Sequence, residues 1–437
     1  MKDTTVDKAF EKTYQLPYLL GVFLAVNAVR DACVVVDGAN CVMVKADLIS
    51  GNHDLFSTLL SETGQHRIIC TMSTPVNPQK NPENKLAAML NSVAGSRQFG
   101  AVLLTGLPFA WLAGMDYSGI AESVSSGSPV SAIPAKSIDS DWLEGYDMAL
   151  EALARSMPAA KPGKRAKNKV ALVGYMMDRN ECDHAANLKE LTRLLEASGL
   201  EVASVWPSGG SVAELARVSE ASLIVSLPYG RKAARTLAAK YKTKLVETGL
   251  PMGLKGTSAW LAAVRRAAGL PGNLPAAVLE EERAAAGALA PALRALLHKK
   301  ILFAGDPYLY SAFAAFAAEL CVSLPMVFLG SSRRPLGAGA AAGTVLFAPS
   351  TDDAKAASKE LSPYQAPDLA VANSFALTEG FADGLPFVEL GFPSYGHHCL
   401  MDEPYFGFSG ARTLVSRLLN SLQTRSKARS AGADRNS

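Results

Sequence analysis

Cys41 and Cys70 are the residues whose type and placement could carry chemistry. Cys41 closes Ala32-Cys33-Val34-Val35-Val36-Asp37-Gly38-Ala39-Asn40-Cys41, an apolar strand running into a glycine turn. Cys70 closes His66-Arg67-Ile68-Ile69-Cys70, and Thr71-Met72-Ser73 follows. Each thiol stands where a strand ends and a loop begins, which is where an α/β sheet presents ligands. Two thiols at equivalent strand ends are half of the four-thiolate set that an iron–sulfur cluster takes. Taken alone, thiols in such runs are more often small buried hydrophobes.

Other chemistry-bearing residues are weaker candidates. Cys33 lies inside the strand and is expected in the core. Cys182, between Glu181 and Asp183, belongs to a loop or helix start. Cys321, in Ala317-Ala318-Glu319-Leu320-Cys321-Val322, is expected at a helix end and buried. His397-His398-Cys399 offers two imidazoles and a thiol, for a metal or as proton donors, although adjacent residues rarely ligate one ion comfortably. Arg231-Lys232 follows Pro228-Tyr229-Gly230 at a helix start, where amides and cations could meet substrate carboxylates; a solvated helix face is the plainer expectation. Asp37 could replace a thiol at the first site, against a plainer role as the residue before a glycine turn. No GxxxxGK[ST] occurs, so the chain lacks that device for cradling ATP phosphates.

The elements that must position these residues repeat as apolar strand, Gly/Pro/Ser turn, then Ala/Leu-rich helix. That order predicts an α/β fold of three Rossmann-like domains with parallel sheets. At 437 residues the chain is roughly three typical domains long. The expected segments are 1–159, carrying the two thiols; 168–270; and 296–437, ending in a flexible C-terminal tail. Strands are expected near 32–36, 66–70, 101–105, 169–173, 202–206, 223–226, 244–248, 300–304, 345–348, 369–372 and 386–390. A long helix is expected over 272–298. Asp306 reads as a helix N-cap and Pro307 as the first helical residue. The clefts between such domains are the default ligand sites.

Composition excludes several classes. Forty-three basic against forty acidic residues give +3, and no basic stripe is interleaved with aromatics, so nucleic acid is not an expected partner. Six cysteines without a CxxC pair are no disulfide framework, which favours a reducing, cytoplasmic setting. The apolar stretches Tyr18–Val36 and Tyr308–Leu329 carry interrupting charges or proline, so both are expected in a core and neither as a membrane span.

With these motifs in view, the chain resembles the nitrogenase component 1-like superfamily, which includes protochlorophyllide and chlorophyllide reductases, the nickel-sirohydrochlorin reductive cyclase and cofactor-assembly scaffolds. Val36-Asp37-Gly38-Ala39-Asn40-Cys41 stands where the family has a strand–HGPxGC turn. Cys70-Thr71-Met72-Ser73 and Asn84-Lys85-Leu86 are similar to its next segment, and Glu144-Gly145-Tyr146-Asp147 to its GYD helix start. Gly199-Leu200-Glu201-Val202 through Gly209-Gly210-Ser211, Pro251-Met252-Gly253-Leu254, Gly305-Asp306-Pro307, Ala372-Asn373-Ser374 and Gly391-Phe392-Pro393 follow in the family's order.

The departures narrow what the resemblance implies. Leu107 occupies the place of the family's third cluster cysteine. No thiol stands near Ser226-Leu227-Pro228-Tyr229 and no imidazole near Glu389-Leu390-Gly391-Phe392, where a molybdenum–iron cofactor would be anchored. No such cofactor is therefore expected, nor a nitrogenase proper.

The resemblance implies an oxidoreductase: the catalytic-component subunit of a nitrogenase-like, ATP-dependent enzyme. Cys41 and Cys70 would be ligands of a 4Fe-4S cluster shared across a subunit interface. The implied partners are a homologous subunit, in a homodimer or a heteromeric assembly, and a separate ATP-hydrolysing iron–sulfur reductase component. A tetrapyrrole leads as substrate class, with His397 and His398 as weak catalytic candidates. Two alternatives stay open. One is a metallocluster-assembly scaffold of the same fold. The other is a nucleotide-sugar glycosyltransferase or epimerase, which Asn373-Ser374-Phe375 to Gly384-Leu385-Pro386 faintly resembles.

Overall fold

The computed structural model describes residues 13–61, 66–74, 81–125, 127–159, 166–333 and 343–433. The expected linker around 158–169 and the low-complexity loop at 335–344 fall largely outside that set. The chain divides into two compact units, one of residues 17–248 and 261–274, the other of 1–16, 249–260 and 275–437. Among the described residues no helix is long and apolar enough to cross a membrane.

The first sheet follows the chain as α1 (Tyr18–Asn27), β1 (Ala32–Asp37), α2 (Cys41–Ile49), β2 (Ile68–Cys70), α3 (Pro82–Gly95), β3 (Ala101–Gly106), α4 (Pro108–Leu112), α5 (Tyr117–Ser123), β4 (Val130–Ala132) and α6 (Trp142–Ser156). Its four strands lie in the order β2-β1-β3-β4 and are all parallel. Every residue of β1 and β3 is buried, as central strands covered by helices on both faces must be. On one face Cys33, Val35, Val102 and Leu104 pack with Leu86 and Leu90 of α3 and Tyr117 and Ile120 of α5. Helix α1 is buried along its whole length. It crosses α6 closely: a Cβ on Gly21 would collide with the Trp142 carbonyl, and one on Gly145 with the Tyr18 carbonyl. The absence of those two side chains is what lets the backbones touch.

The same unit holds β5 (Lys169–Val173), α7 (Cys182–Ala197), β6 (Glu201–Trp206), α8 (Val212–Ala216), β7 (Leu223–Ser226), α9 (Arg231–Tyr241) and β8 (Lys244–Glu247). This sheet is parallel in the order β6-β5-β7-β8. Helix α10 (Leu254–Ala267) is divided between the units at Trp260.

The other unit comprises α11 (Ala276–Leu296), β9 (Lys300–Gly305), α12 (Pro307–Glu319), β10 (Ser323–Leu329), β11 (Thr344–Phe347), α13 (Thr351–Glu360), β12 (Leu369–Ala372), α14 (Ser374–Thr378), β13 (Phe387–Glu389) and α15 (Gly407–Ala433). Its parallel sheet runs β11-β10-β9-β12-β13. Asp306 caps α12 as expected, its Oδ1 accepting from the Tyr308 and Leu309 amides. The three parallel sheets between helices are the α/β class expected from the sequence.

Two expectations need correcting. The apolar run Tyr308–Leu329 lies in the core as expected, but the expected strands lacked β10: the run is α12 and then that strand, divided by a turn at Cys321. Cys321 is exposed rather than buried. It sits at φ +55° immediately after the helix, and the left-handed turn that lets the chain reverse into β10 carries its side chain outward.

Candidate functional site: the thiols at the ends of β1 and β2

Strand register decides where the thiols lie. Val36 of β1 pairs with Cys70 of β2 on one side and with Thr105 of β3 on the other, and Asp37 pairs with Gly106. The loops carrying Asp37 to Cys41, Cys70 to Ser73 and Leu107 therefore leave three adjacent strands at their carboxyl ends. Arg67 fixes the start of β2. Its buried guanidinium donates to the carbonyls of Val26 at 2.5 Å, Val29 at 3.0 Å and Ala32 at 3.0 Å. A cation on the last carbonyls of α1 is well matched to the helix dipole.

Thr71 fixes the end of β2. Its hydroxyl donates to Asp37 Oδ1 at 2.7 Å and accepts from the Gly38 amide at 3.0 Å. Tyr117 donates to Asp37 Oδ2 at 3.1 Å, so both carboxylate oxygens of this buried residue already hold a hydroxyl. Asp37 is thereby bound into the scaffold of the turn.

The Cys70 thiol donates to the Gly38 carbonyl at 3.0 Å. Burial pushes its pKa up, the Met72 amide lowers it, and the charges of Cys41 and Asp37 raise it again. Cys41 is the first residue of α2 and is exposed. Leu107 closes the third side. Its amide donates to the Asp37 carbonyl at 2.8 Å, and a Cβ added at Gly38 would come within 2.5 Å of its Cδ1. Apolar side chains stand open next to all three loops: Val44 is 68% exposed, Met72 59% and Leu112 69%.

The remaining sequence candidates sort differently. Cys33 is buried, and burial pushes its thiol up to about 12, as suits a core residue. Cys182 opens α7. Arg231 donates to Glu247 Oε2 at 2.8 Å and Lys232 pairs with Glu144, so both cations are engaged within the fold. In the other unit His397, Cys399 and Glu403 converge, their ligand atoms within 4.8 Å of one another; His398 is not part of that group.

A network that the sequence did not announce lies at the carboxyl end of β5. Asp178 Oδ2 is 2.9 Å from His53 Nε2, and its Oδ1 is 2.9 Å from His184 Nε2. His184 Nδ1 meets the Tyr175 hydroxyl at 2.9 Å, and Asn187 donates to that hydroxyl at 3.1 Å. All five side chains are buried. Burial would push Asp178 up, but His184 and then His53 outweigh it and hold the carboxyl well below its ordinary range. Burial would likewise lower His184, and Asp178 and Asp183 reverse that, so its pKa is raised. The sequence signal was a polar run, Asp178-Arg179-Asn180-Glu181, with four residues between it and the preceding apolar strand.

The family model described as nitrogenase component 1 type oxidoreductase matches residues 18–423. The chain belongs to that family. It is 25% identical over 341 residues to the nitrogenase molybdenum-iron protein beta chain of Frankia alni, a match covering 69% of this chain and 62% of the relative. It is 28% identical over 323 residues to a light-independent protochlorophyllide reductase polypeptide of a Methylobacterium species, covering 70% and 61%. With a different polypeptide of the corresponding reductase, from Heliobacterium mobile, it shares 28% over 214 residues, 45% of this chain and 48% of the relative. The chain thus spans less than two thirds of each of these relatives. A solved structure described as nitrogenase Cp1 at pH 6.5 superposes with a TM-score of 0.77 over 95% of this chain and 93% of that one, at 17% identity, which establishes the shared fold.

Proposed function

We propose that this chain is the catalytic-component subunit of a nitrogenase-like reductase, with Cys41 and Cys70 as its ligands to a 4Fe-4S cluster completed by a homologous subunit. The observation that supports this is the register of the first sheet: Cys70 ends β2 level with Val36 of β1, the turn after β1 leads to Cys41 at the start of α2, and the apolar Leu107 follows β3. The donor set fits: thiolates are the ligands such clusters take, and one of these is already exposed. When bound, the cluster would supply one-electron transfer.

The chain's own residues do the rest. Arg67 and Thr71 hold β2 so that Cys70 stays level with Val36. Asp37, fixed by Thr71 and Tyr117, shapes the turn instead of ligating. Leu107 gives a dry wall and no ligand, so further ligands must come from another chain. Val44, Met72 and Leu112 supply apolar surface on which such a chain could close. A separate ATP-hydrolysing reductase would deliver the electrons, a reading supported by the lack of a GxxxxGK[ST] loop in this sequence. A tetrapyrrole is the substrate class that this family context favours.

Anaerobic iron and sulfide analysis tests the assignment. Cys41→Ala and Cys70→Ala should each lose most of the iron held by the wild type. Full iron content in both variants would sink it.

A further inference from the structure

The loop after β13 carries a second group of donors, which is independent of the thiols at β1 and β2. His397, Cys399 and Glu403 fall within seven residues, and an imidazole nitrogen, the thiol sulfur and a carboxylate oxygen lie within 4.8 Å of one another. His397 Nε2 and Glu403 Oε2 are 3.4 Å apart. Two ligands about 2.1 Å from one ion, at the tetrahedral angle, stand about 3.4 Å apart. Cys399 is 2% exposed, so its sulfur is screened from bulk water.

This spot already accommodates positive charge. Nη2 of Arg417 on α15 lies 2.5 Å from Glu403 Oε2 and 3.5 Å from Cys399 Sγ. Burial pushes the Glu403 carboxyl up, but Arg417 and His397 outweigh it and hold it below its ordinary range. A cavity of about 610 Å³, lined by His397, Arg417, Glu389 and Asn420, opens beside the group.

We propose that His397, Cys399 and Glu403 form a binding site for a zinc-class divalent cation, with Arg417 as the cation that occupies it in the metal-free state. One nitrogen, one sulfur and one oxygen suit a borderline-soft ion and disfavour calcium or magnesium. Three protein ligands leave the fourth position for water or a small ligand from the cavity. On binding, the metal–sulfur bond forms as the Cys399 thiol releases its proton to solvent, and no electron moves. A divalent ion repels the guanidinium, and the cavity that Arg417 lines gives its side chain room to withdraw.

Cobalt(II), as a spectroscopic stand-in for zinc, tests this on the full-length chain. In a Cys41→Ser/Cys70→Ser background, which removes the other proposed metal thiols, cobalt should give a thiolate charge-transfer band that saturates at one ion per chain. Cys399→Ser should abolish the band. Glu403→Gln, at a half-exposed position that can change without opening the core, should weaken binding about tenfold or more. Arg417→Gln should tighten it roughly tenfold, since a competing charged hydrogen bond is gone. Absence of the band, a band that survives Cys399→Ser, or weaker binding in Arg417→Gln would overturn the site.

Discussion

The thiol turn at the ends of β1 and β2 and the Asp178 network at the end of β5 share one unit but are opposite kinds of polar site. Around Asp178, two imidazoles, a phenol and an amide are buried and mutually hydrogen-bonded. Around Cys41 and Cys70, the scaffold is fully bonded through Thr71, Tyr117 and Arg67, but one thiol is exposed and the surface beside it is apolar. A closed network is self-sufficient, and any loss leaves a stranded charge. An open one is rigid behind and unfinished in front, which is how a surface that meets a partner is built.

The largest effect that would sharpen this contrast is at Asp178. Asp178→Ala strands two buried imidazoles and should cost about 3–5 kcal/mol in urea unfolding. A loss near zero would show that the network is not the closed element described. The pH dependence comes next. His184 has a raised pKa, so its contribution is complete below the ordinary histidine value of 6.5 and is lost as pH rises through the raised one. Asp178 is lowered, so its contribution is complete above 3.8 and is lost as pH falls through the lowered value. The urea midpoint should therefore be flat between about pH 4 and 6.5 and fall on either side. A midpoint that climbs steadily above pH 7 would contradict it.

How much of this was legible in the sequence differs between the two regions. The strands β1, β2 and β3 are apolar runs followed by Gly, Cys or Ser turns, so their parallel pairing was legible, and with it the level of Cys70 beside the β1 turn; that Cys41 opens α2 instead of ending the strand was not. His53 and Asp178 are joined only by tertiary packing, and no periodicity relates them. Strand β10 was hidden for a third reason. Ser323-Leu324-Pro325-Met326 follows an apolar helix with no polar break and carries a proline, so only the left-handed turn at Cys321 separates the two elements.

The smallest expected effect lies back at the thiol turn. Cys41→Ala and Cys70→Ala should change the stability of the metal-free chain by no more than about 1 kcal/mol, because neither thiol fills a core. A loss as large as that of Asp178→Ala would make the thiols structural and break the contrast.

On the proposed ligand assignment, Leu107, lying against Gly38, would place metal retention under mass action. A chain supplying two thiolates and a leucine would not hold a four-ligand cluster by itself, and retention of iron would become a bimolecular property. Serial dilution under a chelator should strip the metal from this protein at a rate that rises as the subunits separate, whereas Leu107→Cys should make that loss less sensitive to concentration.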